Sequence, residues 1–90
     1  MTPEERFAMA VRIFGLLLAV TGLTHFVKPA AFQSITESAF PTNTRRHTYI
    51  NGGIETALGA GLVAPKTRKL AVAGLLAYGA YLGASVVRSR

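Results

Sequence analysis

The longest uncharged stretch of the chain is the feature that most constrains its fold. Leu70–Val87 contains 18 residues without Lys, Arg, Asp or Glu, and basic residues lie on both sides of it. A helix rises about 1.5 Å per residue, so about 18 apolar residues approach the thickness of a bilayer's hydrocarbon core, about 30 Å. A core helix of a soluble bundle is the alternative, but such a helix should have a polar face. Here the only polar side chains are those of Tyr78, Tyr81 and Ser85.

The composition agrees with a small membrane protein and excludes several other classes. Half of the 90 residues are hydrophobic although the net charge is +6, which excludes a disordered chain, because disorder requires low hydrophobicity. Cys is absent, and the two His and four acidic residues are too few for a metal cage, so we expect no metal. The Lys and Arg residues form clusters between apolar stretches, not a stripe along one helix, so we expect no nucleic acid partner.

The beginning of the chain predicts another membrane span. Thr2 can cap a helix that starts at Pro3 and enters the bilayer near residue 7, which gives a span over 7–27. The helix should end at Lys28 because a residue that precedes proline avoids the α conformation. A cleaved signal peptide is the alternative, but the two acidic residues at the start and the lack of a clear cleavage site favour a retained span.

One more span, the second in sequence order, is predicted over residues 48–64, although its hydropathy is weaker. It is 17 residues long, lies between two cationic clusters and is rich in small residues. Small residues at four-residue spacing allow helix backbones to approach closely in lipid. Chance also produces such spacings, but we expect helix contacts at the small residues of the second and third spans, namely Gly53, Ala57, Gly61, Gly79 and Gly83.

The segment 29–41 is too short to cross a bilayer and alternates apolar and polar residues at roughly helical spacing. We interpret it as a short helix in the membrane interface with its phenylalanines among the acyl chains, and an exposed loop is the alternative. Residues 42–46 should form a polar turn. The predicted fold is therefore an all-α membrane protein over residues 1–90, with three transmembrane helices at about 7–27, 48–64 and 70–87, and an interfacial helix between the first and second.

Glu55 is the most informative polar residue. Seven residues into the second span, it would lie about 10 Å below the membrane surface, where an ionisable side chain usually faces the bundle interior and has a partner. Asn51 lies one turn before it, and antiparallel packing brings His25 or Arg12 of the first span within reach. These residues suit a proton-handling pair or a hydrogen-bonding site for a quinone-like head group. The alternative, which we favour, is a structural link between helices.

Short motifs in order along the chain resemble the DoxX-like family of small bacterial membrane proteins. They are Thr24-His25-Phe26 followed by Pro29, then Asn51–Glu55 with its Gly-x-x-Glu pattern, and then Gly59–Arg68 with Pro65 and Thr67-Arg68. The resemblance implies a multi-pass protein of the bacterial inner membrane with a cytoplasmic N-terminus. Family members usually have four transmembrane helices, whereas this chain has three predicted ones. Named members are small subunits of a terminal quinol oxidase or of membrane oxidoreductase assemblies.

Two functions remain open. The first, which we favour, is an accessory or anchoring subunit of a larger membrane complex, of a redox or respiratory type linked to electron transport. Its partners would be other membrane subunits and lipid, and we expect a hetero-complex more than a homo-oligomer. Quinone or lipid could contact the chain, but we expect no cofactor to be held within it. The second is a self-assembling transporter or proton-linked carrier that uses Glu55. No nucleophile–base pair or phosphate loop is present, so we expect no catalytic residues and no enzyme activity of the chain alone.

Membrane orientation cannot be assigned from charge. The positive-inside rule compares Lys and Arg on the two sides of the membrane. The predicted topology places five on each side, since Arg6, Arg12, Lys66, Arg68 and Lys69 oppose Lys28, Arg45, Arg46, Arg88 and Arg90.

Overall fold

A computed structural model describes residues 1–90 as four α-helices. They are α1 (Pro3–Val27), α2 (Pro29–Ala39), α3 (Thr44–Val63) and α4 (Arg68–Arg88). Two of them, α1 and α4, are long and apolar enough to cross a membrane. The all-α architecture predicted from the sequence is thus confirmed, and a helix is present at each predicted element.

The start of α1 follows the predicted capping chemistry. The Thr2 hydroxyl accepts a hydrogen bond from the Glu5 backbone N–H at 3.2 Å, and the Glu5 carboxylate accepts one from the Thr2 backbone N–H at 3.2 Å. This reciprocal pair satisfies two N–H groups that would otherwise lack a partner at the helix start. Pro3 occupies the first turn, where its missing N–H costs nothing.

The turn before α3 is shorter than predicted. Residues 42–46 were expected to form the turn, but α3 already begins at Thr44 and incorporates Arg45 and Arg46. Asn43 adopts a left-handed conformation with φ 54°, which asparagine tolerates better than most residues. The chain therefore reverses within residues 40–43, because one left-handed residue is enough to redirect it into the helix.

Helix α3 is the centre of the bundle. It contacts each of the other three helices, whereas α1 and α4 lie on either side of it without close backbone contact with each other. The short helix α2 packs across α1, α3 and α4 at one end. We call this the first-loop end, since it carries residues 28–43 and the end of α4, and we call the opposite end, at residues 64–67, the second-loop end.

Glycines bring the backbones of α1 and α3 into direct contact. A Cβ atom on Gly15 would lie 2.7 Å from the carbonyl oxygen of Gly59, and one on Gly22 would lie 2.6 Å from that of Gly52. Both distances are too short for a carbon atom, so only glycine fits at these positions. The two pairs match because the glycines are seven residues apart in each helix and the helices run antiparallel.

This interface corrects the predicted packing positions. Gly53 and Ala57 are exposed, and the contact with α1 uses Gly52 on the adjacent helix face. Gly61 does pack, with its missing Cβ 3.0 Å from Ala71 Cβ of α4. No atom lies within 4 Å of a Cβ placed on Gly79 or Gly83 of α4, so neither of these two glycines contacts another helix of this chain.

Burial is inverted relative to a water-soluble bundle. The side chains on the outside are large and apolar, for example Val27, Leu70 and Leu76, which are 77%, 77% and 72% exposed. Most of the 14 buried positions hold small or polar residues, among them His25 and Thr48. An apolar surface of this extent marks contact with lipid or with other proteins.

The α2 segment also differs in orientation from the prediction. Its phenylalanines were expected among acyl chains, yet the Phe32 ring stacks on His25 with ring centroids 3.8 Å apart. Phe40, which follows α2, is buried and stacks on His47 at 4.2 Å. Both rings pack inward because two imidazole faces at the first-loop end are available to them, while Ile35 remains outside at 72% exposure.

The second-loop end is closed by hydrogen bonds to the last carbonyl groups of α3. The Thr67 hydroxyl donates to the Gly61 carbonyl at 2.7 Å, and Arg68 Nε donates to the Leu62 carbonyl at 3.0 Å. A second Arg68 nitrogen donates to the Val63 carbonyl at 3.3 Å. These side chains satisfy carbonyl groups that a helix end leaves without intrahelical partners.

Gly22→Ala should destabilise the protein, because the added methyl group would force α1 and α3 apart. We expect a loss of about 1–3 kcal/mol in the free energy of unfolding, the usual cost of overpacking. Gly79→Ala is the matched control, since the same change in helix propensity occurs there in open space. Denaturation followed by circular dichroism in mild detergent measures both; equal stability of the two variants would contradict the contact.

Candidate functional site

A cavity of about 310 Å³ lies at the first-loop end, and all four helices contribute to its wall. Apolar side chains of α2 and α4 form much of the wall. Among its polar residues are His25 of α1, Asn51 and Glu55 of α3, and Tyr78 of α4. The cavity lies at the lower end of the size range of small-molecule sites, which starts at about 300 Å³.

The imidazole of His25 is held in a defined orientation. Its Nδ1 lies 2.7 Å from the Thr21 carbonyl oxygen, which can only accept, so Nδ1 carries the proton and donates it. Phe32 covers the ring with nearly parallel stacking, at an angle of 17°. His25 is 5% exposed, so this orientation leaves Nε2 as the ring nitrogen available for chemistry.

Glu55 lies between His25 and Tyr78. The Tyr78 hydroxyl donates a hydrogen bond to Glu55 Oε2 at 2.5 Å. His25 Nε2 lies 3.8 Å from the same oxygen, close enough for electrostatic attraction but longer than the about 2.7–3.2 Å of a hydrogen bond. The three groups are His25, Glu55 and Tyr78, and we refer to them as the polar cluster.

Asn51 adds an amide to the same cavity. It is 5% exposed, and its side-chain oxygen accepts a weak hydrogen bond from the Tyr81 hydroxyl at 3.4 Å. The amide nitrogen makes no hydrogen bond within the chain, so it remains free to donate to a ligand. The cavity therefore offers an amide donor, a carboxylate acceptor and an imidazole nitrogen that can do either, depending on its protonation.

The structure brings together three of the four polar residues predicted from the sequence. His25, Asn51 and Glu55 line one cavity, as the antiparallel arrangement of the first two predicted spans requires. Arg12 does not join them, because it lies near the other end of α1 from His25. Its side chain is exposed and forms no ion pair.

Sequence reasoning missed the contribution of α4. Tyr78 was noted only as a polar residue of the last span, yet it is the closest partner of Glu55. Tyr78, Tyr81 and Ser85 are spaced by three and four residues, which places them on one helix face. That spacing could have predicted the contact. When the polar side chains of an apolar helix all lie on one face, that face is the one that packs inward.

Chemically, the polar cluster can form hydrogen bonds to a ligand and contains groups that can exchange a proton, but it contains no activated nucleophile. A carbonyl or hydroxyl oxygen placed in the cavity would find donors and acceptors on different walls. Glu55 accepts a hydrogen bond from the Tyr78 hydroxyl, and His25 Nε2 makes no hydrogen bond within the chain.

The chain matches one protein family over residues 14–88, a family described as "Domain of unknown function (DUF8561)". No curated protein and no solved structure matches the chain.

Tyr78→Phe should lower the free energy of unfolding by about 1–3 kcal/mol, because Glu55 loses a hydrogen bond in a buried site. Tyr49→Phe is the matched control, since the Tyr49 ring is partly exposed and its hydroxyl makes no hydrogen bond within the chain. Glu55→Gln should retain most of the stability and Glu55→Leu should not, because leucine leaves the buried Tyr78 hydroxyl without its hydrogen-bond acceptor and removes the charge that faces His25. Equal stability of the Gln and Leu variants would exclude a structural link at Glu55.

Proposed function

This chain belongs to the DUF8561 family, and we propose that it is a multi-pass protein of the bacterial inner membrane that serves as an accessory subunit of a redox complex. In this proposal the polar cluster binds the head group of a quinone-class molecule. The observation that carries the proposal is the position of this cluster. It lies in a cavity inside a bundle whose outer surface is apolar.

The exposure pattern supports a lipid environment. α1 and α4 are apolar, but most of their residues are exposed, unlike those of a core helix in a soluble protein. Exposed apolar side chains cover α1 outside the face that packs on α3, including Phe7, Phe14 and Leu17. In water this surface would drive aggregation, whereas in a bilayer it contacts acyl chains at no cost.

In the proposed topology α3 also crosses the membrane, as the second of three spans in sequence order. Its 20 residues are sufficient to cross, and its polar residues Asn51, Glu55 and Thr56 face α1 or the cavity and not lipid. Polar side chains within a membrane are tolerated on such interior faces. The helix α2 would lie near the membrane surface at the first-loop end and close the cavity from that side.

A quinone-class head group suits the cavity by size and by chemistry. Its carbonyl oxygens accept hydrogen bonds, for which the Asn51 amide and a protonated His25 are donors. Its reduced form carries hydroxyl groups, for which Glu55 is an acceptor. The apolar wall, with Phe32 and Leu82, suits an aromatic or quinonoid ring.

An accessory role fits the uncovered face of α4. Gly79 and Gly83 have no neighbour within the chain, so another membrane subunit can approach this helix closely. The resemblance to DoxX-like proteins, whose named members are small subunits of redox assemblies, favours a different chain as that partner over a second copy. The N-terminus is cytoplasmic in this proposal, also on the basis of that resemblance.

A proton-linked carrier is the second candidate. The observation that favours it is that Glu55 lies between two other titratable groups, with His25 Nε2 at 3.8 Å and the Tyr78 hydroxyl at 2.5 Å. Such a group can receive a proton from one neighbour and release it elsewhere. In that case transport in proteoliposomes, and not quinone binding, would depend on Glu55.

Single cysteines should show that residues 42 and 66 lie on opposite sides of the membrane. Thr42 and Lys66 are exposed and make no side-chain hydrogen bonds, and the chain has no native Cys, so Thr42→Cys and Lys66→Cys should not disturb the fold. Each cysteine should react with a membrane-impermeant maleimide from one side only, and the two sides should differ. Reaction of both from the same side would remove α3 as a span.

Decylubiquinone should raise the unfolding temperature of the purified protein in detergent, and Asn51→Leu, which removes the amide donor to a quinone carbonyl, should weaken this effect although the variant remains folded. Loss of one hydrogen bond to a ligand corresponds to about a tenfold weaker affinity. Tyr49→Phe is the control and should bind as the unaltered protein does. No effect of decylubiquinone would contradict the quinone site, and a stable Glu55→Gln protein that loses proton-coupled transport would favour the carrier.

A further inference from the structure

A second cavity, of about 400 Å³, lies at the first-loop end beside the last turn of α4. It is separate from the polar cluster, and its polar wall consists of Thr42, His47, Tyr81, Ser85, Arg88 and Ser89. No Asp or Glu lines it. The cavity therefore combines hydroxyl groups, an imidazole and a guanidinium without a carboxylate, which suits an anionic ligand.

Ser85 is the most telling residue of this cavity. It is 3% exposed, and its hydroxyl has no hydrogen-bond partner within the chain. A buried hydroxyl without a partner is costly, and buried polar side chains nearly always have one. The neighbouring Ser89 hydroxyl is already engaged, since it donates to the carbonyl oxygens of Ala39 and Ser85, each at 2.8 Å. Ser85 therefore has a free O–H group at the cavity wall.

Arg88 supplies the remaining donors, and His47 lies beside it with one ring nitrogen free. His47 Nδ1 lies 3.1 Å from the Asn43 carbonyl oxygen and must donate to it, so Nε2 is the free nitrogen. The ring is fixed by its stack on Phe40, with an angle of 8° between the planes. Arg88 forms no ion pair within the chain, and its guanidinium can bind two oxygens of a phosphate group at once.

An apolar groove continues from this cavity along the bundle. Tyr81 lines both, and the groove of about 380 Å³ runs between α3 and α4 past Ile54 and Ala77 to Gly74. From Ser85 to Gly74 the helix rises about 16 Å, close to the about 15 Å of one leaflet's hydrocarbon region. A ligand with a phosphate head and an acyl chain would therefore fit both parts.

We propose that this cavity and groove form a binding site for an anionic phospholipid. The Ser85 hydroxyl and the Arg88 guanidinium bind the phosphate, and one acyl chain lies in the groove between α3 and α4. Arg45 and Arg46 lie in the first turn of helix α3, next to His47, and make this end of the bundle basic. A basic surface favours a lipid with net negative charge. The site requires the membrane placement proposed above, and the only residue that it shares with the polar cluster is Tyr78, which lines the groove.

The test is the unfolding temperature of the full chain in mild detergent, measured against added dioleoylphosphatidylglycerol. The lipid should stabilise the protein, whereas dioleoylglycerol, which lacks the phosphate, and inorganic phosphate, which lacks the chains, should not. Arg88→Gln should raise the lipid concentration needed for half the effect by about tenfold, the loss expected for one charge-assisted hydrogen bond. Arg90→Gln is the matched control, since Arg90 is exposed and does not line the cavity.

Ser85→Ala tests the buried hydroxyl independently of charge. It should weaken the response to the lipid while the unfolding temperature without lipid does not fall, because the hydroxyl has no partner to lose. Equal effects of Arg88→Gln and Arg90→Gln would show general surface attraction and overturn the site. So would stabilisation by dioleoylglycerol to the same extent, or by inorganic phosphate alone, which would indicate a free-phosphate site.

The lipid site and the proposed function can fail separately. Glu55→Gln should retain the full response to dioleoylphosphatidylglycerol, since Glu55 lines neither the second cavity nor the groove. If cysteine labelling places residues 42 and 66 on opposite sides but the lipid has no effect, the lipid site alone is wrong. If both cysteines label from one side, the membrane placement fails and the lipid site fails with it.

Discussion

The direct backbone contact between α1 and α3 is the interaction on which the rest of this structure depends. Glycines at Gly15 and Gly22 meet Gly59 and Gly52, so no side chains separate the two helices. In lipid such a contact gains dispersion energy that water exclusion cannot supply. It also fixes the relative depth of the helices, since a shift of one turn would place side chains where only hydrogen atoms fit.

That register determines which polar groups meet. With Gly22 opposite Gly52, the next turn of α1 places His25 over Gly52. From there its ring extends toward Glu55, one turn further along α3. The remaining helices then only have to cover the pair: α2 with the Phe32 ring, and α4 with the Tyr78 hydroxyl. Because all four helices contribute to its wall, the cavity forms only when the whole bundle is assembled.

The sequence was sufficient to predict the helices, because capping residues, prolines and charge clusters act locally. It was also sufficient to predict that Glu55, Asn51 and His25 converge, since burial of an ionisable residue in an apolar span requires a partner. It was not sufficient for the helix faces. The spacing Gly53-Ala57-Gly61 was as regular as that of the true contact at Gly52 and Gly59, and only the matching seven-residue spacing in α1 distinguishes them. Contacts of α4 depend on where α3 leaves a groove, which no local pattern reports.

The distribution of satisfied polar groups separates a structural end of the bundle from a binding end. At the second-loop end, Thr67 and Arg68 satisfy the last carbonyl groups of α3. Within the helices, hydroxyl groups such as that of Thr56 donate to the carbonyl four residues earlier, at 2.7 Å. At the first-loop end, by contrast, the Ser85 hydroxyl has no partner and His25 Nε2 is too far from Glu55 for a hydrogen bond. Groups that the chain does not satisfy itself are those that a ligand can satisfy, and this is why both proposed ligands, the quinone-class head group and the lipid phosphate, are assigned to this end.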